Sequence, residues 1–180
     1  MEDKKVVLIR KQPAPFIVNY PFGENGTIKT YTWQGTNGKV LNERPVPFDV
    51  FDWIQNYTTT LTSGALIIKE TDDEDINEIK ENIPDIAEIE SSILTKDEVI
   101  EMLEKGNHLT LKKALKDLDT KTPDTVKEAQ KKYVIGIASE MGIDSVAKRQ
   151  ALVQWAKLDY NNADILFDKI LEEMYEKESK

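Results

Sequence analysis

Residue types that support common enzyme chemistries are absent or rare in this 180-residue sequence. The absence of cysteine excludes disulfides, thiolate nucleophiles, iron–sulfur clusters and sulfur-ligated zinc. His108 is the only histidine, which excludes a multi-histidine metal site. The eight glycines form neither a P-loop nor a dinucleotide-binding motif. We therefore expect no enzymatic activity, no catalytic residues, no cofactor and no metal site.

Long apolar runs are also lacking. No run approaches the roughly 18–20 residues that a bilayer span needs. The N-terminal stretch Val6–Ile9 is too short for the apolar region of a signal peptide. We therefore expect a cytoplasmic protein without a membrane partner.

The excess of acidic over basic residues is concentrated in one stretch. Residues 1–70 carry 8 basic and 7 acidic side chains, and residues 106–180 carry 13 of each. Residues 71–105 carry 3 basic and 13 acidic side chains, which accounts for the net charge of −9. This break predicts a β-rich docking module over 1–70, an acidic connector over 71–94 and a helical domain over 95–180.

Residues 1–70 show the alternation of β-strands, with one helical segment. Asn25-Gly26 and Asn37-Gly38 predict two hairpin turns. Pro45 and Pro47 are expected to end the fourth strand and to precede the helix. The predicted strands are 5–10, 15–20, 28–33, 39–42 and 64–69, and the helix covers 48–57.

Residues 95–180 show helical periodicity and helix caps. Thr95 and Glu98 form a capping box for a helix over about 96–105. Further helices are predicted around Leu109–Leu118, from Thr122 to Ala138 or Met141, from Asp144 or Ser145 through Trp155, and from Asn161 or Asn162 through Met174. The expected fold class is therefore α+β, with a β-rich module, an acidic connector and an all-α domain.

Six isoleucines follow near-heptad spacing in the acidic connector: Ile76, Ile79, Ile83, Ile86, Ile89 and Ile93. As one helix, this stripe must be buried either against the protein's own domains or against another chain. β-branched residues at both seam positions favour trimers or larger assemblies. Pro84 interrupts it, which equally allows two short turns or a segment that folds on a partner. A flexible tether is the further alternative. We place Ile76, Ile79, Ile83 and Ile86 among the candidate partner-binding residues.

Two further groups of residues are candidates for a partner or for chemistry. Lys29, Tyr31 and Trp33 share one face of a predicted strand and would be exposed if that strand packs by its other face. The alternative is that the core needs these aromatic residues. Asp49 and Asp52 lie on one predicted helix face, but such a spacing carries little information in a chain with 33 carboxylates.

Basic clusters in the helical domain allow an alternative function. A nucleic-acid-associated regulatory factor would bind phosphates through Lys112, Lys116, Lys127, Lys131, Lys148 and Arg149. Equal numbers of acidic residues in the same region argue against this function, so nucleic acid is not the expected partner.

Four segments carry a resemblance to a known group of proteins: Phe16–Val18, Tyr31–Gly35, Pro47–Tyr57 and Gly64–Ile68. Over about residues 5–70, the chain resembles the N-terminal β module of small accessory structural proteins of tailed bacteriophages. Ile137–Trp155 has a similar phage-like character. The resemblance implies a non-enzymatic protein that docks on a capsid, neck or tail surface. Its partners would be other virion proteins, with a homo-oligomer as a further option, and it would occupy the host cytoplasm during assembly and then the virion.

Overall fold

The computed structural model describes residues 4–23, 26–36, 38 and 40–157. The chain divides into two compact units, Met1–Asp97 and Glu98–Lys180. A small antiparallel β region comes first and the C-terminal part is helical, which confirms the predicted α+β class. The helix predicted from Asn161 or Asn162 lies outside the described residues.

The first unit contains five strands and three helices within its described residues. The elements are β1 Lys5–Arg10, β2 Phe16–Phe22, β3 Thr27–Trp33, β4 Asn42–Pro47, α1 Phe48–Tyr57, β5 Ile67–Ile68, α2 Glu74–Glu81 and α3 Ile86–Ser92. The strand expected over 64–69 is thus only two residues long. A three-stranded antiparallel sheet has the order β4-β1-β5, and β2 pairs with β3 in a separate two-stranded sheet.

Strand β4 differs from its prediction because it contains both prolines that were expected to follow it. Pro45 lies opposite Val7 and Pro47 opposite Lys5. The backbone N–H of Phe48 donates to the Lys4 carbonyl at 3.0 Å. Because successive backbone N–H groups of a strand point to opposite sides, the backbone nitrogens of Pro45 and Pro47 point away from β1. A proline is tolerated on an edge strand because its missing N–H then costs no ladder hydrogen bond.

The first predicted hairpin is confirmed, and the second is wrong. β2 and β3 pair antiparallel, with Val18 opposite Tyr31. After β3, the N–H of Thr36 instead donates to the Gln12 carbonyl at 3.1 Å, and β4 pairs with β1. Gly35 lies against the Pro13 carbonyl, where a Cβ atom would stand 1.4 Å from the oxygen. Residues Asn25 and Asn37 of the two predicted turns lie outside the described residues.

Helix α1 follows its prediction, with Pro47 at its N-cap. Its buried residues Val50, Phe51 and Ile54 belong to a core that also contains Leu8 and Trp33. Burial of this apolar surface is the main stabilising contribution to the unit. The C-terminal end of α1 carries the exposed Tyr57.

The acidic stretch forms two short helices rather than one continuous helix. Asp73 caps α2 by accepting hydrogen bonds from the N–H groups of Asp75 and Ile76. The helix ends before Pro84, because the residue before a proline disfavours the helical region. Asp85, with φ of 55°, then re-directs the chain into α3.

Helices are the only regular secondary structure among the described residues of the second unit. They are α4 Lys96–Glu104, which begins just before the unit boundary, α5 His108–Lys121, α6 Asp124–Met141 and α7 Val146–Ala156. The first four helices predicted over 95–180 are therefore confirmed. Leu111, Leu115 and Leu118 are the buried stripe of α5 at helical spacing. Asn107 and Ser145 cap α5 and α7 through their side-chain oxygens.

Candidate functional site

The aromatic pair predicted for partner binding lies in the core. Tyr31 is 4% exposed and Trp33 is 0% exposed. The indole Nε1 of Trp33 donates to the Leu8 carbonyl at 3.0 Å, which ties β3 to β1. The predicted alternation is correct, but the strand packs by the aromatic face, because burying two large rings removes the most apolar area from water. Of the predicted trio, only Lys29 is exposed.

The predicted isoleucine residues are also largely buried. Ile76, Ile83 and Ile86 lie in the same core as the sheet residues, and Ile79 is partly buried against it. Ile89 and Ile93 are buried as well. The stripe is therefore covered by the chain's own first unit.

The outer face of the β2–β3 hairpin is an exposed apolar surface of the first unit. Ile17 is 55% exposed and Ile28 is 62% exposed. Between them Thr30 donates to the Asn19 side chain at 3.0 Å, and Pro21 lies opposite Ile28. We call Ile17, Asn19, Pro21, Ile28 and Thr30 the hairpin face. Exposed β-branched apolar residues beside short polar residues are suited to protein contact.

A groove lies on the other side of the hairpin, between its turn end and α1. Its volume is about 480 Å³, within the range of roughly 300–1,000 Å³ that is usual for ligand sites. Four aromatic residues and two carboxylates line it: Tyr20, Phe22, Tyr31, Phe48, Asp49 and Asp52. We call it the aromatic–acidic groove. Lys29, opposite Tyr20 in the hairpin, contributes its positive charge.

The polar groups of the aromatic–acidic groove are close to one another. The hydroxyl of Tyr20 donates to Oδ2 of Asp49 at 3.4 Å. Burial of the phenol raises the pKa of Tyr20 above 10.0, and the Asp49 carboxylate and the Tyr31 phenol raise this pKa further. The Tyr31 hydroxyl is buried and has no hydrogen-bond partner among the described residues. The groove thus contains carboxylate and phenol oxygens beside aromatic rings.

Two cations flank the ring of Tyr31. The Nζ atom of Lys29 lies 5.4 Å from the ring centroid, and Cζ of Arg44 lies 5.2 Å from it. Arg44 also donates to the Thr32 carbonyl at 2.8 Å, so its guanidinium is held by β3. The side chain of Lys29 is exposed to solvent.

An aromatic series continues from the groove along α1. The rings of Tyr20 and Trp53 meet edge to face at 5.7 Å, and Trp53 stacks on Tyr57 at 6.3 Å. Tyr57 is 75% exposed, so the series ends at the surface. The pairing register of the hairpin and the placement of α1 bring these rings together, which no local sequence pattern predicts.

The basic residues predicted for phosphate binding do not form one surface. Lys148 is buried and donates to the carbonyls of Leu103 at 2.8 Å and Glu104 at 3.1 Å. Arg149 is buried and donates to the Ile143 and Asp144 carbonyls.

Of the other four predicted basic residues, two contact neighbouring side chains and two are exposed to solvent. Lys131 is buried, with Nζ 5.7 Å from the ring centroid of Trp155. Lys127 pairs with Asp124 at 2.7 Å, and Lys112 and Lys116 are exposed on α5. His108 is the first residue of α5.

Neither a metal-binding cluster nor a membrane-spanning helix occurs in the parts of the chain that the structure describes. No group of three histidine or carboxylate side chains is placed to hold a metal ion there. Within the same residues, no helix is both long and apolar enough to cross a bilayer.

The first unit is thus a small α+β module that carries an exposed hairpin and an aromatic–acidic groove. Residues 4–85 match the family profile of the YonA N-terminal domain, which covers β1 through α2 but fewer than half of the 180 residues. YonA is a phage-type name, and the match is consistent with a phage protein. No curated protein and no solved structure matches the chain.

Proposed function

We propose that this protein is a non-enzymatic component of a bacteriophage virion that docks on another virion protein through its first unit. It would decorate the capsid, belong to the neck or be an accessory protein of the tail. The protein would act in the host cytoplasm during assembly and remain in the particle.

The observation that carries this proposal is the exposed hairpin face. Ile17 and Ile28 project from a two-stranded sheet whose other face packs Val18, Tyr31 and Trp33 into the core. Burial of such apolar residues by a partner lowers the free energy of the complex, because it removes apolar surface from water. The phage-type family match covers most of the same unit and supports a phage context.

The charge of the first unit favours a basic partner. Exposed carboxylates lie along α2 and α3, including Glu74, Glu78, Glu81 and Glu88. A surface of this sign attracts a positively charged partner and repels nucleic acid. We therefore expect the partner surface to combine apolar contact residues with arginine or lysine.

Incorporation into particles tests this function. A phage that lacks the chain is complemented with the wild type, with the double variant Ile17→Thr and Ile28→Thr, or with Val40→Thr. Purified particles are then analysed by quantitative mass spectrometry. Threonine keeps the β-branched shape that strands prefer, and Val40 is an equally apolar control that is 81% exposed in the same unit.

We expect wild type and Val40→Thr in the particles at equal copy number. The double variant should be reduced about tenfold, the effect of roughly 1.4 kcal/mol of lost contact energy. The proposal would be contradicted if the wild-type chain is present in the soluble fraction of the cells but absent from the purified particles.

A further inference from the structure

One residue that lines the aromatic–acidic groove has a buried hydroxyl that the fold leaves unpaired. Tyr31 is 4% exposed, lines the groove, and its hydroxyl has no partner among the described residues. Buried polar groups in native proteins are nearly always hydrogen-bonded, so an unpaired one requires an explanation. A ligand that enters the groove and supplies a donor is such an explanation.

The charges of the groove select the sign of that ligand. Asp49 and Asp52 lie one turn apart on α1, and both are exposed to the groove and to solvent. The single cation that lines it, Lys29, forms no salt bridge with either carboxylate among the described residues. Among the residues that line the groove, two carboxylates stand against one ammonium, and Arg44, which flanks the Tyr31 ring from outside this lining, is held at the Thr32 carbonyl. The exposed carboxylates of the lining therefore favour a cation over an anion.

The walls of the groove select the shape of the cation. Phe22, Phe48 and Tyr20 present aromatic rings. A planar guanidinium stacks on such rings and has five donors for carboxylate and phenol oxygens, whereas an ammonium is a compact and strongly hydrated point charge.

We propose that the aromatic–acidic groove binds the guanidinium group of an arginine side chain presented by the partner protein. Asp49 and Asp52 accept its N–H donors, and the Tyr31 oxygen accepts another. The exposed Lys29 side chain moves aside when the arginine enters. This inference rests on the proposed docking function and names the partner chemistry of the same unit.

A titration with a small probe tests the groove without the partner. N-acetyl-L-arginine amide is added to the full-length isotope-labelled chain, and NMR follows the rings of Tyr20, Tyr31 and Trp53. N-acetyl-L-citrulline amide, which has nearly the same shape but no charge, is the matched control probe. We expect saturable shifts with the arginine probe and at least tenfold weaker binding of the citrulline probe.

Variants assign the effect to named side chains. Asp49→Asn and Asp52→Asn should each weaken binding about fivefold, whereas Lys29→Met should strengthen it about threefold because a competing cation is removed. Tyr31→Phe should weaken binding while leaving the free chain at least as stable, since it removes an unpaired hydroxyl. Glu78→Gln, an exposed carboxylate change on α2, should leave affinity unchanged.

Three results would overturn the inference: equal binding of the two probes, affinity that the Asp49 and Asp52 variants leave unchanged, or no saturable shift up to the solubility limit of the probe. The particle assay separates this failure from failure of the proposed function. If the groove ignores arginine while the hairpin-face variant still loses incorporation, docking stands and its arginine chemistry is wrong.

Discussion

The carboxylate of Glu90 accepts a hydrogen bond from the backbone N–H of Ile68 at 2.7 Å and ties α3 to the edge strand β5. The other Glu90 oxygen pairs with Lys80 of α2. The side chain of Glu90 is only 12% exposed, so this interaction is partly shielded from water. One acidic residue of the predicted connector therefore accepts a hydrogen bond from a backbone N–H of the edge strand and also links α3 to α2 through an ion pair.

Substitution of Glu90 tests this tie. Glu90→Ala should lower the free energy of unfolding by about 1–3 kcal/mol, because a charged hydrogen bond is lost and the Ile68 N–H is left unpaired. Glu90→Gln should lose less, since its amide oxygen still accepts that hydrogen bond. Urea denaturation measures both, with the exposed Glu88→Ala on the same helix as the control. Equal stability of Glu90→Ala and Glu88→Ala would contradict the assignment.

Acid stability depends on Asp73. Nζ of Lys4 bonds Oδ1 of Asp73 at 2.7 Å and lowers the pKa of Asp73 below 3.8, and the backbone N–H of Ile76 lowers this pKa further. Because the pKa is lower in the folded state, the stabilisation is present above pH 3.8 and is lost as the pH falls through the folded pKa.

Asp73→Asn isolates this charge, because asparagine also caps helices. We expect the variant to lose less stability than the wild type between pH 5 and strong acid. Denaturation midpoints at a series of pH values measure the difference. Parallel pH profiles for the two proteins would assign acid sensitivity to other groups.

The buried isoleucine stripe predicts a stability effect without an effect on assembly. Ile86 is 5% exposed in the core of the first unit. Ile86→Ala should cost about 2–5 kcal/mol, because it leaves a cavity. Size-exclusion chromatography with light scattering should give the same mass for variant and wild type, with Glu81→Ala as the exposed control. A wild-type oligomer that Ile86→Ala dissociates without loss of stability would restore the oligomerisation seam.

Lys148 separates a structural role from phosphate binding. Its ammonium bonds the last carbonyls of α4, where a cation is also favoured by the helix dipole. Lys148→Met should lower stability by about 1–3 kcal/mol, whereas the exposed Lys112→Met should stay within about 0.5 kcal/mol of wild type. A gel shift on duplex DNA that Lys148→Met weakens without any loss of stability would support the nucleic-acid alternative instead.

Local sequence signals determined most helices and the fold class. Pro47 sets the start of α1, Asn107 and Ser145 cap α5 and α7, and Gly142 follows the end of α6. These signals act within about one helical turn, so they can be recognised in the sequence without knowledge of the fold. Alternation along β3 likewise grouped Tyr31 with Trp33 on one face before any contact was known.

The tertiary structure decided which faces are buried and which strands pair. Tyr31 and Trp33 pack inward because the core of this small unit needs their area, and the isoleucine stripe is covered by the same core. Pro45 and Pro47 fit within β4 only because that strand lies at a sheet edge. The aromatic–acidic groove exists because the hairpin register and the position of α1 bring Tyr20, Tyr31 and Asp49 together across long stretches of chain. Such long-range contacts depend on global packing, which no local pattern encodes.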